Sequence, residues 1–272
     1  MKYLKTSEIA KSVGIHPNTV RLYEKWGLLP TAARSPAGYR QFTGAHLVQV
    51  KLIRLAMKCT LFGREVKKTA YGIISSSAEA HYIEALGLAE DLVEMIDTEL
   101  KQAEAAEKFL EQWAEESKAA AALPGADAKS SGAASEGDIS SKSDVPANTA
   151  VSAKTAARLL DIKTDMLRDW ERNGLIHIPR NPENGYRLYG PYEINRLRVI
   201  RALRRSNYSN MSILRAMNKL ESGSAEGLRE ALDSPELDED RGYLCFTDML
   251  LTTLNTAKAA TAEIIEILKE QI

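Results

Sequence analysis

Ile15-His16-Pro17-Asn18-Thr19-Val20-Arg21-Leu22-Tyr23-Glu24-Lys25-Trp26-Gly27-Leu28-Leu29, followed after eight residues by Gly38-Tyr39-Arg40, returns later in the chain as Ile162 to Ile176 with Gly185-Tyr186-Arg187. Residue i falls on residue i+147 without a gap: Ile15 on Ile162, Arg21 on Arg168, Glu24 on Glu171, Gly27-Leu28 on Gly174-Leu175. An internal repeat fixes how many copies of one supersecondary unit must be explained. Here two small domains of one kind are expected, and the 272-residue length agrees with roughly 100 to 200 residues per domain.

The local signals within each copy are helical. Thr6 or Ser7 reads as an N-cap, with Glu8 in the first turn and Ile9, Ala10 and Val13 at helical spacing, until Gly14 stops the helix. Pro17 is preorganised for the first position of a second helix, carrying Val20, Tyr23 and Trp26, and Gly27 stops it. Two short helices joined by a tight turn are a helix-turn-helix, whose second helix is the one offered to a groove. Leu28-Leu29-Pro30 and Tyr39-Arg40-Gln41-Phe42 flank a basic Arg34-to-Gly38 segment and predict a small β-hairpin wing. Closing helices are expected over Gly44–Met57 and about Gly63–Ile74.

From Ala78 to about Ala122 there is no proline, and Tyr82, Ala85, Ala89, Leu92, Ile96, Ala103, Ala106, Leu110 and Trp113 recur at alternating three- and four-residue steps. A narrow apolar stripe on a long acidic helix is a coiled-coil seam and needs a partner helix. Leu123 to Asn148 is Ala, Ser, Gly, Asp and Lys with almost no large apolar residue, and reads as a flexible linker. The second copy runs from Val151 to about Leu220, with its turn at Leu160-Asp161, groove helix at Thr164–Asn173, wing at Ile176–Tyr189 and closing helices at Pro191–Arg205 and Asn210–Glu221. An acidic stretch, Ser222–Asp240, leads to a last helix over about Tyr243–Ile272, with Leu250, Leu251, Leu254, Ala257, Ile264, Ile265 and Leu268 on one side.

Charge separates along the chain in the same way. Residues 1–70 carry 13 Lys+Arg against 3 Asp+Glu, and residues 151–222 carry 14 against 7. The segments after each copy are acidic, with 3 against 12 over 71–122 and 4 against 11 over 223–272. A polyanion is attracted to the two copies and repelled by the acidic segment after each. Cys59 and Cys245 stand far apart without a CxxC partner, so neither a disulfide framework nor a zinc site is expected. His16, His46, His81 and His177 are scattered, no nucleophile sits beside a base, and no phosphate loop is present, so the chain reads as non-enzymatic. No apolar run approaches the roughly 18 residues of a membrane span, and the start Met1 to Thr6 leads into a polar helix, which points to a cytoplasmic protein.

The Ile15–Leu29 string with Gly38-Tyr39-Arg40 resembles the winged helix-turn-helix of the MerR family of bacterial transcription regulators, and the acidic helix after it is similar to that family's dimerisation helix. The resemblance covers residues 3 to about 118 and recurs more weakly at Ile162–Ile176 and Gly185–Tyr189. It implies double-stranded DNA as partner, dimerisation through antiparallel helices, and transcription control by distorting promoter DNA, with RNA polymerase as a further partner. Metal sensors of the family are expected to present cysteines near the end of the dimerisation helix. None stands between Cys59 and Cys245, so no cofactor and no metal is expected, and the effector is unassigned.

The candidate DNA contacts in the first copy are His16, Asn18, Thr19, Arg21, Tyr23, Lys25, Arg34, Tyr39 and Arg40, and in the second Lys163, Thr164, Arg168, Arg180, Tyr186 and Arg187. Asn18 and Thr19 sit in the first exposed turn of the groove helix with Arg21 at its middle, where side chains reach base edges; wing residues meet flanking phosphates. Tyr39 has a core alternative, Arg40 the alternative of bracing the wing through Glu24, Tyr23 is divided between core and phosphate, and Trp26 is assigned to the core. In the second copy Asp165, Met166 and Asp169 replace Asn18, Thr19 and Leu22, putting two carboxylates where phosphates would be repelled. That copy is expected to bind DNA more weakly, or to be a degenerate dimerisation or effector module.

The expected architecture is mainly α: a winged domain over 1–76, a dimerisation helix over 77–122, a linker over 123–149, a second winged domain over 150–222 and a helical segment over 223–272. A homodimer through residues 78–118 is favoured over an intramolecular pseudo-dimer. A sequence-specific regulator is the leading reading; a DNA-architectural, partition or excision factor is the rival.

Overall fold

A computed structural model describes residues 3–121, 150–222, 226–234 and 248–272. In chain order it contains α1 (Thr6–Ser12), α2 (Pro17–Lys25), β1 (Ala33–Arg34), β2 (Arg40–Gln41), α3 (Gly44–Lys58), α4 (Arg64–Ala78), α5 (Tyr82–Ala121), α6 (Ala153–Leu159), α7 (Thr164–Arg172), α8 (Pro191–Arg205), α9 (Asn210–Glu221), α10 (Leu228–Asp233) and α11 (Leu250–Lys269). The chain divides into two compact units, one of Met1–Leu100 with Thr252–Ile272 and one of Lys101–Leu251. The segment expected as one dimerisation element, 77–122, therefore contributes residues to both. The expected linker at 123–149 lies outside the described residues, as does Cys245. No helix among the described residues is long and apolar enough to cross a membrane.

In the first unit α1 starts one residue earlier than the expected caps. Lys5 holds the N-cap position, because the Glu8 carboxylate reaches back to accept its N–H at 2.6 Å. The turn to α2 passes through Gly14 at φ +66. Ile9, Val20, Tyr23, Leu29, Phe42, Val50, Ile53, Ile73 and Ile74 form the core. The wing differs from its expected position: β1 is Ala33–Arg34, not Leu28-Leu29-Pro30, and pairs with β2 in the register Ala33↔Gln41 and Arg34↔Arg40. The Leu28 and Leu29 amides instead donate to the Tyr23 carbonyl at 3.0 and 3.2 Å, closing the end of α2, and Leu29 is buried. Buried Gln49 of α3 donates to the Leu28 and Ile74 carbonyls, both at 2.9 Å, tying the post-helix turn to α4.

The long helix does not begin at Ala78. The chain turns at Ala80, in the left-handed region at φ 60, and α5 starts at Tyr82. Its apolar stripe is buried as the spacing demands, from Ala85, Ala89, Leu92 and Ile96 onward, and Leu100, one residue past the position three after Ile96, is buried with it. Within this unit the C-terminal helix α11 brings buried Leu254, Ala257, Thr261, Ile264 and Leu268. Lys258 pairs with Asp97 at 2.6 Å, and the Cys59 thiol lies 3.7 Å from the Ala257 carbonyl and 3.5 Å from the Thr261 hydroxyl.

The second unit repeats the plan position by position. The antiparallel bridge Leu4↔Phe42 has its counterpart in Val151↔Tyr189, and Gln49 in Arg196, whose guanidinium donates to the Leu175 carbonyl at 2.9 and 3.0 Å. Gly27 and Gly174 both take left-handed φ, +74 and +75, where a β-carbon is disfavoured. The second wing, however, contains only the isolated bridge Arg180↔Arg187. Helix α10 was not expected from the acidic stretch: Gly227 at φ 70 serves as its N-cap, and Leu228 and Leu232 are buried. The last helix begins, among the described residues, at Leu250 rather than Tyr243.

Candidate nucleic-acid interface

Helix α2 is divided by its own periodicity. Val20 and Tyr23 point into the core, which leaves Asn18, Arg21, Leu22, Lys25 and Trp26 exposed on one face, with Thr19 half-buried beside them. The spacing 18, 21, 22, 25 is one helical stripe, so these side chains address one surface. Arg21 Nη1 donates to Asn18 Oδ1 at 2.6 Å, which holds the guanidinium against the N-terminal turn. His16 caps α2, its Nδ1 accepting the Asn18 N–H at 3.2 Å. Two assignments change: Tyr23, at 6 % exposure, is a core residue, and Trp26, at 60 %, is not. Trp26 is the C-cap of α2, just before Gly27 at φ +74, so the indole stands past the last full turn.

The wing is held by one carboxylate. Glu24 Oε2 accepts from Arg40 Nε at 2.5 Å, and Glu24 Oε1 accepts the Ala32 N–H at 3.0 Å. Arg40 is thus the brace between groove helix and wing. Burial pushes the Glu24 carboxyl up, but the Arg40 hydrogen bond, the Ala32 amide and the charges of Arg40 and Arg34 outweigh it and hold it below its ordinary value. At the tip Arg34 Nη1 donates to the Gly38 carbonyl at 3.1 Å, and the Tyr39 N–H donates to Ser35 Oγ at 3.2 Å. Tyr39 is 76 % exposed, so its core alternative is removed.

The same construction stands in the second copy. Arg187 Nε donates to Glu171 Oε2 at 2.6 Å, Arg180 lies 3.9 Å from the same carboxylate and donates to the Gly185 carbonyl at 3.4 Å, and Tyr186 is 73 % exposed. On α7, Arg168 pairs with Asp165 at 3.1 Å and Arg172 with Asp169 at 3.2 Å. The two carboxylates are therefore matched by arginines one turn on. Such exposed pairs contribute only about 0 to 1 kcal/mol, so the arginines are available to a phosphate. Lys163 is exposed at the N-cap of α7, and Thr164, its first residue, is half-buried. Arg168, Arg172, Arg180 and Arg187 line a cup of about 340 Å³ around Glu171. Of the arginine run on α8, Arg196 is buried against Leu175 and paired with Glu221, and Arg201 pairs with Asp161 at 3.3 Å. Arg204 and Arg205 are exposed but also engaged, Arg204 donating to the Tyr208 carbonyl at 2.6 Å and Arg205 lying 3.7 Å from Asp161.

Glu24 was foreseen only as an alternative brace for Arg40, and Glu171 not at all, although their identity at i+147 was a signal, because a carboxylate on a polyanion-binding surface reads as unfavourable until its wing arginine is seen. Trp26 was expected in the core because an apolar residue at helical spacing reads as core; it is exposed.

Fold and site together define a tandem winged helix-turn-helix protein. A family model described as "MerR family regulatory protein" matches residues 5–42, and one described as "MerR HTH family regulatory protein" matches residues 151–220. Residues 5–42 and 151–220 are thus each similar to the MerR helix-turn-helix, the second copy being a further MerR-like one in the same chain. It is 40 % identical over 50 residues to the HTH-type transcriptional regulator CueR of Salmonella typhi, covering 18 % of this chain and 36 % of that protein. The CueR of Escherichia coli O6:H1 matches at the same identity over 37 % of its length. An uncharacterised HTH-type transcriptional regulator of Haemophilus influenzae is 32 % identical over 65 residues, covering 24 % of this chain and 48 % of that protein. The chain thus spans between a third and a half of the length of these relatives. No solved structure matches.

Proposed function

We propose that the chain is a cytoplasmic, non-enzymatic regulator of the MerR type that binds promoter or operator DNA with both winged domains and acts on transcription through RNA polymerase. The observation that carries this is the recurrence of one construction at i+147: an exposed arginine on the groove helix, Arg21 or Arg168, a glutamate tying that helix to the wing, and an exposed wing tyrosine. Duplicated core residues would follow from duplication alone; a duplicated outer surface follows from a duplicated task. Side chains of α2 and α7 read base edges, while Arg34, Tyr39, Arg180 and Tyr186 meet phosphates. The carboxylates Asp165 and Asp169, each beside an arginine, suit a site with cytosine N4 donors.

Footprinting the purified chain on genomic fragments over a salt series tests the proposal. Discrete protected promoter segments of two half-sites, with transcription from them altered on adding the chain, are expected. Uniform, strongly salt-dependent coverage of any duplex would favour an architectural or partition factor instead. The burial of Ala85, Ala89, Leu92, Ile96, Ala103 and Leu110 along α5 supports an intramolecular pseudo-dimer beside the homodimer expected through residues 78–118.

A further inference from the structure

Each copy shares its unit with part of the helix that follows the other. The copy at the start of the chain shares its unit with α11, the helix that follows the second copy: the Cys59 thiol meets the Ala257 carbonyl at 3.7 Å and the Thr261 hydroxyl at 3.5 Å. The second copy shares its unit with the later half of α5, the helix that follows the first: Ser206 Oγ donates to the Gln102 carbonyl at 3.0 Å and the Tyr208 hydroxyl to Glu107 Oε1 at 2.8 Å. Cys59 and Ser206 are the same position of the repeat, 147 residues apart. Each copy thus receives, at one equivalent point at the end of its third helix, part of a helix that follows the other. Along α5, Ala85, Ala89, Leu92, Ile96, Ala103 and Leu110 are all fully buried within the single chain.

A seam that is already buried offers no apolar stripe to a second chain. Covalent linkage also makes the internal exchange an intramolecular event, favoured over the same contact between two chains by the high effective concentration of tethered partners. Symmetric dimers impose matching half-sites because both groove helices are identical. Here they are not. Asn18, Thr19 and Leu22 of α2 stand opposite Asp165, Met166 and Asp169 of α7, all exposed or half-buried on the outer face.

We propose that one chain alone is the complete two-headed reader and that its target is a duplex of two unlike half-sites, α2 reading one and α7 the other. This rests on the DNA-binding reading above. The test uses the full chain and a duplex recovered by footprinting. Light scattering of the complex is expected to give one chain of 30.0 kDa per duplex. In footprints, Arg21→Ala is expected to weaken protection of one half by about tenfold or more, and Arg168→Ala that of the other half. Two chains per duplex, or equal loss from both halves with either variant, would overturn the single-chain reader while leaving DNA binding intact. A chain that protects no discrete duplex overturns the DNA-binding reading itself, and the proposal with it.

Discussion

The carboxylate of Glu24 is the residue on which the reading surface depends most. It joins α2 to the wing through Arg40 and the Ala32 amide. Glu24→Ala leaves a part-buried guanidinium and an amide without their acceptor, and is expected to cost about 1 to 3 kcal/mol in urea unfolding. Its counterpart Glu171→Ala should cost a similar amount, and no loss in either would remove the wing anchor from the account. Because the folded pKa of Glu24 lies below its ordinary 4.5, this stabilisation is fully present above that value and is lost as pH falls through the depressed one. The wild-type stability slope below pH 4.5 should therefore be shallower in Glu24→Gln, as compared by denaturant titrations; equal slopes would contradict the anchor's charge dependence. Exposure was legible in the sequence where position on a helix decides it, as for Asn18 and Arg21. Residue roles were not legible where a long-range partner decides: Arg40 could be brace or phosphate contact until Glu24 was found beside it, and Trp26 and Tyr23 exchange places because Gly27 ends α2 before the indole can turn inward.

At the scale of elements, the turn of the second helix-turn-helix carries a correctable strain. Asp161 takes φ 48 where the first copy has Gly14 at φ 66. Asp161→Gly relieves a left-handed conformation that costs a side-chain-bearing residue roughly 1 to 2 kcal/mol. It gives up ion pairs to Arg201 and Arg205 from a carboxylate that is 84 % exposed, each worth well under about 1 kcal/mol. Asp161→Gly is thus expected to raise the melting temperature, and a lowered one would show the ion pairs to dominate. A second prediction concerns α5, where burial pushes the Glu107 carboxyl up, opposed by the Tyr208 hydrogen bond and the charge of Arg229. A folded pKa above the unfolded one means that this group favours the folded state at low pH and that the benefit is lost as pH rises through the raised value. Glu107→Gln keeps the acceptor for Tyr208 and removes the charge, so its stability relative to wild type should improve from pH 5 to pH 8 in thermal melts. A relative loss over that range would show the Arg229 pair to outweigh burial. The helices themselves were legible from Pro, Gly and apolar spacing. The first strand of the first wing was not placed correctly, because Leu28 and Leu29 look like a strand but their amides are drawn to the Tyr23 carbonyl.

At the scale of the molecule, duplication and exchange are separate features, and only the first could be read from the chain. The repeat and the alternating charge showed two basic winged copies, each followed by an acidic helical segment; which segment packs on which copy is a matter of tertiary contact that periodicity does not encode. Cys59 reports on that contact. Its thiol is buried against α11 and pushed up by burial, so it should resist alkylation in a Cys245→Ser background. Ending the chain after residue 247 should make Cys59 react readily, and unchanged protection would mean that α11 does not cover it. The most direct test of the central claim, that the outer face of α2 reads DNA, is an anisotropy titration of the footprinted duplex with wild type and Arg21→Ala at several salt concentrations. A loss of roughly 1 to 3 kcal/mol in binding free energy is predicted. Superimposable curves at every salt concentration would contradict it.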